Sequence, residues 1–358
     1  IEKTHGGANA GVDGAKIVWA DEKDLVTSPS IAHDASNNAY LDFEVKQSDI
    51  KSGNAVVAVT KNGTVVWSWH LWFAPKSALT PIPVTNYQNV IYNFTTEMLG
   101  WHPVKWEHTT YTTPRTVKVK VEQTIANGGV KQVTVINITQ NPGGKKGGIT
   151  TYYQFGRKDA FPGMDETQLP QGSINKNAGD NMSITNGIQN PQNFYTWGSS
   201  WSSTPPTGYS YYNLWSADNT TTGYNDNAVI KTVYDPCPVG FKMPASNAFT
   251  GFTSNGQHQN TAANINVDGT TDIQKYYAAY GHNFWTNSSK NATIFFPASG
   301  FRNPTEGSVY SVGGSGCYWA AVPMGSGSGN NLSFGWSSVF SQSSSSGSFG
   351  YAVRPVSE

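Results

Sequence analysis

Aromatic rings and amide side chains in loop regions are the residues of this sequence best suited to holding a ligand. Trp285 and Asn287 lie in one such region, and Asn303 and Tyr310 lie in the next. An exposed ring can stack on the apolar face of a pyranose, and an amide offers both a hydrogen-bond donor and an acceptor. If the loops converge, these four residues form a candidate ligand-binding site that requires no metal and no other cofactor.

Motifs that indicate catalysis are missing from the chain. The sequence contains no Gly-x-Ser-x-Gly elbow, no His-Glu-x-x-His pair and no Gly-rich phosphate loop. His102 and His108 flank Glu107, but a zinc site needs three or four converging ligands and this segment supplies no clear third. The sequence therefore predicts a protein that is not an enzyme and has no metal site.

Composition limits the classes of partner. The 358 residues include 23 basic and 23 acidic side chains, so bulk charge does not favour nucleic acid or acidic lipid. Aromatic residues make up 13% of the chain, which is enough to bury a substantial core. No stretch approaches the roughly 20 apolar residues that cross a bilayer. We expect one or two turn-rich, mostly β domains, no nucleic-acid partner and no direct membrane span.

Local patterns predict the elements that must position these side chains. An Asn-Gly pair between two apolar runs favours a type I′ hairpin, and alternating Lys and Val favour a strand with one wet face. The predictions are a hairpin over 54–60 and 64–73, a second hairpin over 116–124 and 130–139 turned at Asn127, short helices near 184–188 and 247–252, and an exposed serine-rich loop over 341–348.

Five segments, in their order along the chain, together resemble the fimbrillin-like surface proteins of Bacteroidetes. They are Trp67-Ser-Trp-His-Leu-Trp72, Tyr152-Tyr-Gln-Phe-Gly-Arg-Lys-Asp-Ala-Phe-Pro-Gly163, Tyr234-Asp-Pro-Cys-Pro-Val-Gly-Phe-Lys-Met-Pro244, Phe296-Pro-Ala-Ser-Gly-Phe-Arg302 and Gly350-Tyr-Ala-Val-Arg-Pro-Val356. Proteins of this kind carry the module called the major paralogous domain, which is related to C-type lectins.

The resemblance implies a fold that is mainly β with minor α (α+β). It implies a β-sandwich-like region over 1–85, then a C-type-lectin-like domain over 86–358 with a β-hairpin insertion near 104–148. Most of the five motifs would then serve packing. Trp285-Thr-Asn287 only partly matches the calcium-binding signature of such lectins, so we expect no calcium site.

The resemblance also implies a role and a location. It indicates a secreted adhesin at the cell surface or outer membrane of a Gram-negative bacterium, associated with fimbriae and binding a host or bacterial glycan or protein. Other pilus subunits are further expected partners. Because the sequence ends directly after an expected final strand, at Ser357-Glu358, it favours a pilus tip or free-standing surface protein over a shaft subunit.

Two alternatives stay open at this stage. Relatives often place a cysteine where this chain has Pro355, so Cys317 is the remaining disulfide partner for Cys237. The two are either bonded, closing a loop of about 80 residues worth roughly 4 kcal/mol, or two separate buried thiols. The alternative function is that of a formylglycine-generating-type oxidase, which shares the broad fold and needs reactive cysteines.

Overall fold

The structure is a computed structural model, and it describes residues 11–108, 115–125, 128–140, 144–196, 214–217, 221–268, 273–325 and 327–358. Strands account for 42% of the chain and helices for 10%, so the predicted mainly β class is confirmed. The strands are β1 (Gly14–Ala20), β2 (Thr27–His33), β3 (Ala39–Glu44), β4 (Gly53–Lys61), β5 (Thr64–Phe73), β6 (Pro81–Thr85), β7 (Ile91–Thr95), β8 (His102–His108), β9 (Arg115–Glu122), β10 (Val133–Gln140), β11 (Gly144–Ile149), β12 (Gln171–Gly172), β13 (Phe241–Lys242), β14 (Gly281–Trp285), β15 (Thr293–Pro297), β16 (Phe301–Arg302), β17 (Val309–Tyr310), β18 (Gly316–Pro323), β19 (Ser328–Phe334), β20 (Val339–Ser346) and β21 (Val356–Ser357).

Helices are short. The α-helices are α1 (Ile184–Gln189) and α2 (Ile273–Ala279), and the described 3₁₀ turns are Gln47–Asp49, Lys76–Leu79, Glu166–Gln168, Ser246–Phe252 and Ala262–Asn264. Ser183 caps the N-terminus of α1, because its hydroxyl accepts the backbone N–H of Asn186. Both helical segments predicted from the sequence are therefore present, the second as a 3₁₀ helix.

The chain divides into two units. Unit 1 comprises the described residues of Ile1–His102 and Ile149–Glu358, and unit 2 is Pro103–Gly148. Unit 2 covers nearly the same residues as the hairpin insertion expected near 104–148. The expected boundary at residue 85 does not coincide with a division of the structure, because strands on either side of it, β6 and β7, pair with each other.

The hairpin of β4 and β5 has the predicted turn. Asn62 and Gly63 both have positive φ, 49° and 77°, which a type I′ turn requires. β4 is buried on both faces, with Val56 and Ala58 in one core cluster and Val57 in another. It is one of the two inner strands of the sheet β12-β1-β4-β5, and such two-sided burial explains its continuous apolar sequence.

The serine-rich segment was predicted wrongly as an exposed loop. Most of it is β20, the edge strand of the sheet β18-β19-β20. Ser341 is fully buried and donates to the carbonyl of Gly256, while the Asn331 amide donates to Ser345 Oγ. Serines can occupy this strand because backbone and asparagine partners satisfy their hydroxyls, which composition alone does not reveal.

Two buried arginines connect distant segments of unit 1. Arg302 donates to the carbonyls of Pro162, Met164 and Gly307. Arg354 donates to the carbonyls of Thr95, Thr96 and Phe295 and covers the ring of Phe296, 4.3 Å from its centroid. Both arginines belong to motifs that carry the family resemblance, and both act here through backbone hydrogen bonds and packing.

Candidate ligand-binding surface

The first pair of predicted ligand-binding residues lies at the far end of the β14–β15 hairpin. Trp285 is half-buried and pairs with Thr293 across the ladder. Asn287 lies in the turn that follows, where its Oδ1 accepts the N–H of Ser289 and its Nδ2 donates to Asn291 Oδ1. Both functional groups of the Asn287 amide therefore stabilise the turn.

The second pair lies on the β16–β17 hairpin. Asn303 Oδ1 accepts the N–H of Thr305 at 2.8 Å and thereby shapes the hairpin loop. Tyr310 is 45% exposed, donates its hydroxyl to Glu306 Oε1, and stacks on Phe301 with ring centroids 6.4 Å apart. The Glu306 hydrogen bond raises the pKa of Tyr310. This pair thus contains one ring accessible to a ligand.

The described contacts do not join the two pairs. The chain leaves the Trp285 turn, runs along the five residues of β15, and only then reaches β16. At about 3.3 Å per residue, β15 separates the two hairpin ends by roughly 13 Å along the strand. Within the described residues, no hydrogen bond or ring contact links Trp285 or Asn287 to Asn303 or Tyr310, so a ligand role for all four together stays a prediction.

The structure also exposes rings, not singled out from the sequence, on segments that lie next to one another through backbone and buried contacts. We define the aromatic surface by its side chains, which are between 40% and 59% exposed: Tyr277, Tyr280, Tyr310, Val312 and Trp336. They come from the end of α2 and the residue that follows it, from β17 and the segment after it, and from the turn between β19 and β20.

The first two of these segments touch through Tyr280. The Tyr280 carbonyl accepts the N–H of Ala298, and the Ala298 carbonyl accepts the N–H of Gly313. The Tyr280 ring covers Gly313 so closely that a Cβ there would stand 2.9 Å from the ring. Glycine is required at this position for a second reason, its φ of +79°.

The third segment is held by buried residues beneath the surface. His282 Nε2 lies 2.9 Å from the carbonyl of Gly335, which directly precedes Trp336. Tyr276 donates its hydroxyl to the Gly314 carbonyl at 3.0 Å, and its ring lies 4.7 Å from that of His282. One buried layer therefore supports both the 311–315 loop and the β19–β20 turn.

Backbone conformation also distinguishes this surface. Tyr280 and Ser311 both adopt left-handed φ, at 56° and 55°. Bulky or branched side chains seldom adopt that conformation, and it persists where surrounding contacts fix it. Here the contacts are the Ala298 hydrogen bond to Tyr280 and the N–H groups of Gly314 and Ser315, which both donate to the Ser311 carbonyl.

The segments that form the aromatic surface carry no formal charge. Residues 276–283, 310–315 and 335–338 contain no Asp, Glu, Lys or Arg, although the Glu306 carboxylate accepts the Tyr310 hydroxyl and Lys275 directly precedes the first range. Burial lowers the pKa of His282, so this imidazole is neutral at neutral pH. Exposed rings beside hydroxyl and backbone groups suit a neutral, polyhydroxylated ligand better than an ionic one.

Ser68, Lys158 and Asp159 form a buried polar cluster in unit 1. Lys158 Nζ lies 2.5 Å from Ser68 Oγ and 2.6 Å from Asp159 Oδ1, a Ser-Lys contact that the sequence did not reveal. Burial lowers the pKa of Lys158, and the charge of Asp159 opposes that shift. All three side chains are less than 9% exposed, so the cluster acts as a buried ion pair.

The two cysteines are separate buried thiols in the structure, the second of the two alternatives. Burial raises the pKa of Cys237 well above its usual range and that of Cys317 to about 12. Asp235 contributes to the Cys237 shift and also accepts that residue's N–H. Neither sulfur resembles a reactive thiolate.

Metal ligands are not grouped in the described part of the chain. Among those residues, no cluster of three or more His, Cys, Asp and Glu side chains could hold an ion. His102 Nε2 lies 3.0 Å from Asp21 Oδ2 with both side chains buried, whereas the side chain of His108 lies outside the description. No described helix has both the length and the apolar character needed to cross a bilayer.

Comparison with known proteins adds one family. A domain of unknown function, DUF8237, matches residues 280–356. The match begins at Tyr280 and includes most of the aromatic surface, but it covers well under half of the chain. Searches of curated proteins and of solved structures found no match.

Proposed function

We propose that this protein is a cell-surface, fimbria-associated adhesin that binds a neutral glycan through the aromatic surface. The observation that carries the proposal is a set of exposed Tyr and Trp rings on hydrogen-bonded neighbouring segments that contain few charged residues, with left-handed φ at Tyr280 and Ser311. Contiguous exposed apolar patches mark interaction sites more often than chance. Aromatic rings with hydroxyl and amide neighbours are the chemistry that recognises pyranoses.

The resemblance to Bacteroidetes fimbrillin-like proteins supports the cellular part of the proposal. It favours an extracellular location and a C-type-lectin-like arrangement for the part of the chain that includes this surface. The oxidase alternative gains no support, because both thiols are buried with raised pKa values.

A panel of immobilised neutral glycans tests the proposal. We expect the purified protein to bind at least one member, and we expect Tyr277→Ala and Trp336→Ala each to weaken binding about tenfold, the effect of losing one stacked ring. Tyr224→Ala is the matched control, because Tyr224 is also a 43% exposed ring but lies outside the aromatic surface. Binding measured by calorimetry and unfolding by circular dichroism separate affinity from stability.

Three results would contradict the proposal. They are no glycan binding at millimolar concentration, equal losses for Tyr224→Ala and Trp336→Ala, and binding that depends on calcium. Loss of binding only in Trp285→Ala and Asn287→Ala variants would place the site at the β14–β15 turn instead.

A further inference from the structure

Charge is divided unevenly between the two units although the chain is neutral. Unit 2, Pro103–Gly148, contains seven Lys or Arg residues and two Glu residues, a net charge of +5. The rest of the chain therefore carries −5. A segment of 46 residues with this excess is electrostatically a cationic surface, whatever the total charge of the protein.

Unit 2 also exposes a row of aliphatic side chains. β9 and β10 form a two-stranded ribbon in which Val117 faces Ile138 and Val119 faces Ile136. Because side chains alternate across a strand, these residues and Val121 share one face. They are between 38% and 59% exposed. We call this face the aliphatic row.

The opposite face of the same ribbon carries the lysines. Lys118 faces Asn137 and Lys120 faces Val135 across the ladder, and Lys120 forms an exposed ion pair with Glu122 at 2.9 Å. A two-stranded ribbon by itself is marginally stable in water. The aliphatic row is therefore a surface that gains from being covered.

We propose that unit 2 binds anionic lipid surfaces, with the aliphatic row set into the boundary between headgroups and acyl chains. The lysines on the outer face remain within about 8–10 Å of the lipid charge, which is the Debye length at physiological salt. An amphipathic cationic element lies on a membrane in this way without crossing it. This inference is independent of the proposed glycan binding, which concerns unit 1.

Other occupants fit only one of the two features. A nucleic acid or acidic polysaccharide would pair with the lysines and leave the aliphatic row in water. A second copy of unit 2 would cover the row but bring two charges of +5 together. The row also offers roughly 300 Å² of apolar area, whereas a stable protein interface buries about 800 Å² per partner.

Vesicle binding by the full chain tests the inference. We expect co-sedimentation with vesicles of phosphatidylglycerol and phosphatidylcholine at low salt, little with phosphatidylcholine alone, and weaker binding as salt rises. Removing both charges with Lys118→Gln and Lys120→Gln should weaken binding about 25-fold, since each lysine near such a surface contributes roughly fivefold.

A matched pair of variants tests the aliphatic row. Val119→Thr places a hydroxyl in the row, and Val135→Thr makes the same change on the lysine face, at a residue that is 51% exposed against 38% for Val119. Threonine retains strand propensity, so both ribbons should form. We expect about fivefold weaker vesicle binding for Val119→Thr and less than twofold change for Val135→Thr.

Several outcomes would overturn the inference. Absence of vesicle binding at low salt would do so, as would equal effects of Val119→Thr and Val135→Thr. Binding to soluble heparin that is as tight as binding to vesicles, and insensitive to Val119→Thr, would identify a polyanion site instead. Self-association that Val119→Thr abolishes would identify a second copy as the occupant.

Discussion

His70 is a neutral, partly buried imidazole, and we predict that its failure to accept a proton destabilises the protein in mild acid. Asn54 donates its amide N–H groups to Asp21 and to the Gly100 carbonyl, which fixes its Oδ1 toward His70 Nε2 at 2.9 Å. The Nε2 atom must therefore carry the hydrogen. His70 Nδ1 is then the acceptor for the Tyr153 hydroxyl at 2.7 Å.

The magnitude follows from the shift in pKa. Burial lowers the pKa of His70 from 6.5 to about 4, and the charge of Asp21 opposes the shift. Between these values the unfolded chain binds a proton that the folded chain does not, so stability falls as pH falls from 6.5 toward 4. Integration at about 1.36 kcal/mol per pKa unit gives a loss of about 2.5 kcal/mol by pH 4.5. Water reaches part of the ring, which makes this an upper value.

Urea unfolding at pH 7.5 and pH 4.5 measures the effect, with His70→Gln as the comparison. Glutamine keeps a donor and an acceptor but does not titrate. We expect the variant to be less stable than the original protein at pH 7.5, because its hydrogen bonds to Asn54 and Tyr153 are poorer. Its further loss on acidification should be smaller by about 2 kcal/mol, since all other titrating groups are shared.

Equal acid losses in the two proteins would refute this reasoning. Such a result would mean that the folded state accommodates a protonated His70. The Tyr153 hydroxyl, which also lies 3.3 Å from Thr151 Oγ1, would then have rotated to accept the new proton.

Two further predictions concern buried positions of unit 1. Cys237 and Cys317 should resist a bulky thiol reagent in the native protein at pH 8 and react in denaturant, because burial keeps both thiols protonated. Rapid labelling of the native protein would instead show an open path to the sulfurs. Gly316→Ala should lower the free energy of unfolding by about 2–4 kcal/mol, because its Cβ would overlap the Phe334 ring. Gly314→Ala, with its nearest neighbour 3.4 Å from the added Cβ, should be nearly neutral, and equal unfolding curves for the two variants would contradict the steric argument.

Local turn chemistry explains which parts of the fold could be predicted from the sequence. The Asn62-Gly63 turn and the helix that begins after Ser183 depend on residues within a few positions of each other. The ladder of β9 and β10 was also predicted, although Asn127 of its turn lies outside the described residues. In each case the conformational preference is set by side chains adjacent in the sequence.

Long-range partners explain what the sequence could not show. The strand character of β20 depends on Asn331 and on the carbonyl of Gly256, about 85 residues away in the case of Ser341. The aromatic surface likewise depends on a chain of hydrogen bonds from Tyr280 through Ala298 to Gly313. The nearest available signal was the tyrosine spacing over 276–280, which also suits an ordinary buried helix face.

The balance of 23 basic and 23 acidic residues is a poor guide to partners because charge acts over a short range. The eight-residue strands of the β9–β10 ribbon are about 26 Å long, whereas the Debye length at physiological salt is about 8 Å. A charged partner at that ribbon responds to the local lysines rather than to the sum over the chain. The aromatic surface, built from uncharged segments, should behave differently. Salt should therefore separate the two proposed activities: vesicle binding should weaken steeply with ionic strength, whereas glycan binding should hardly change.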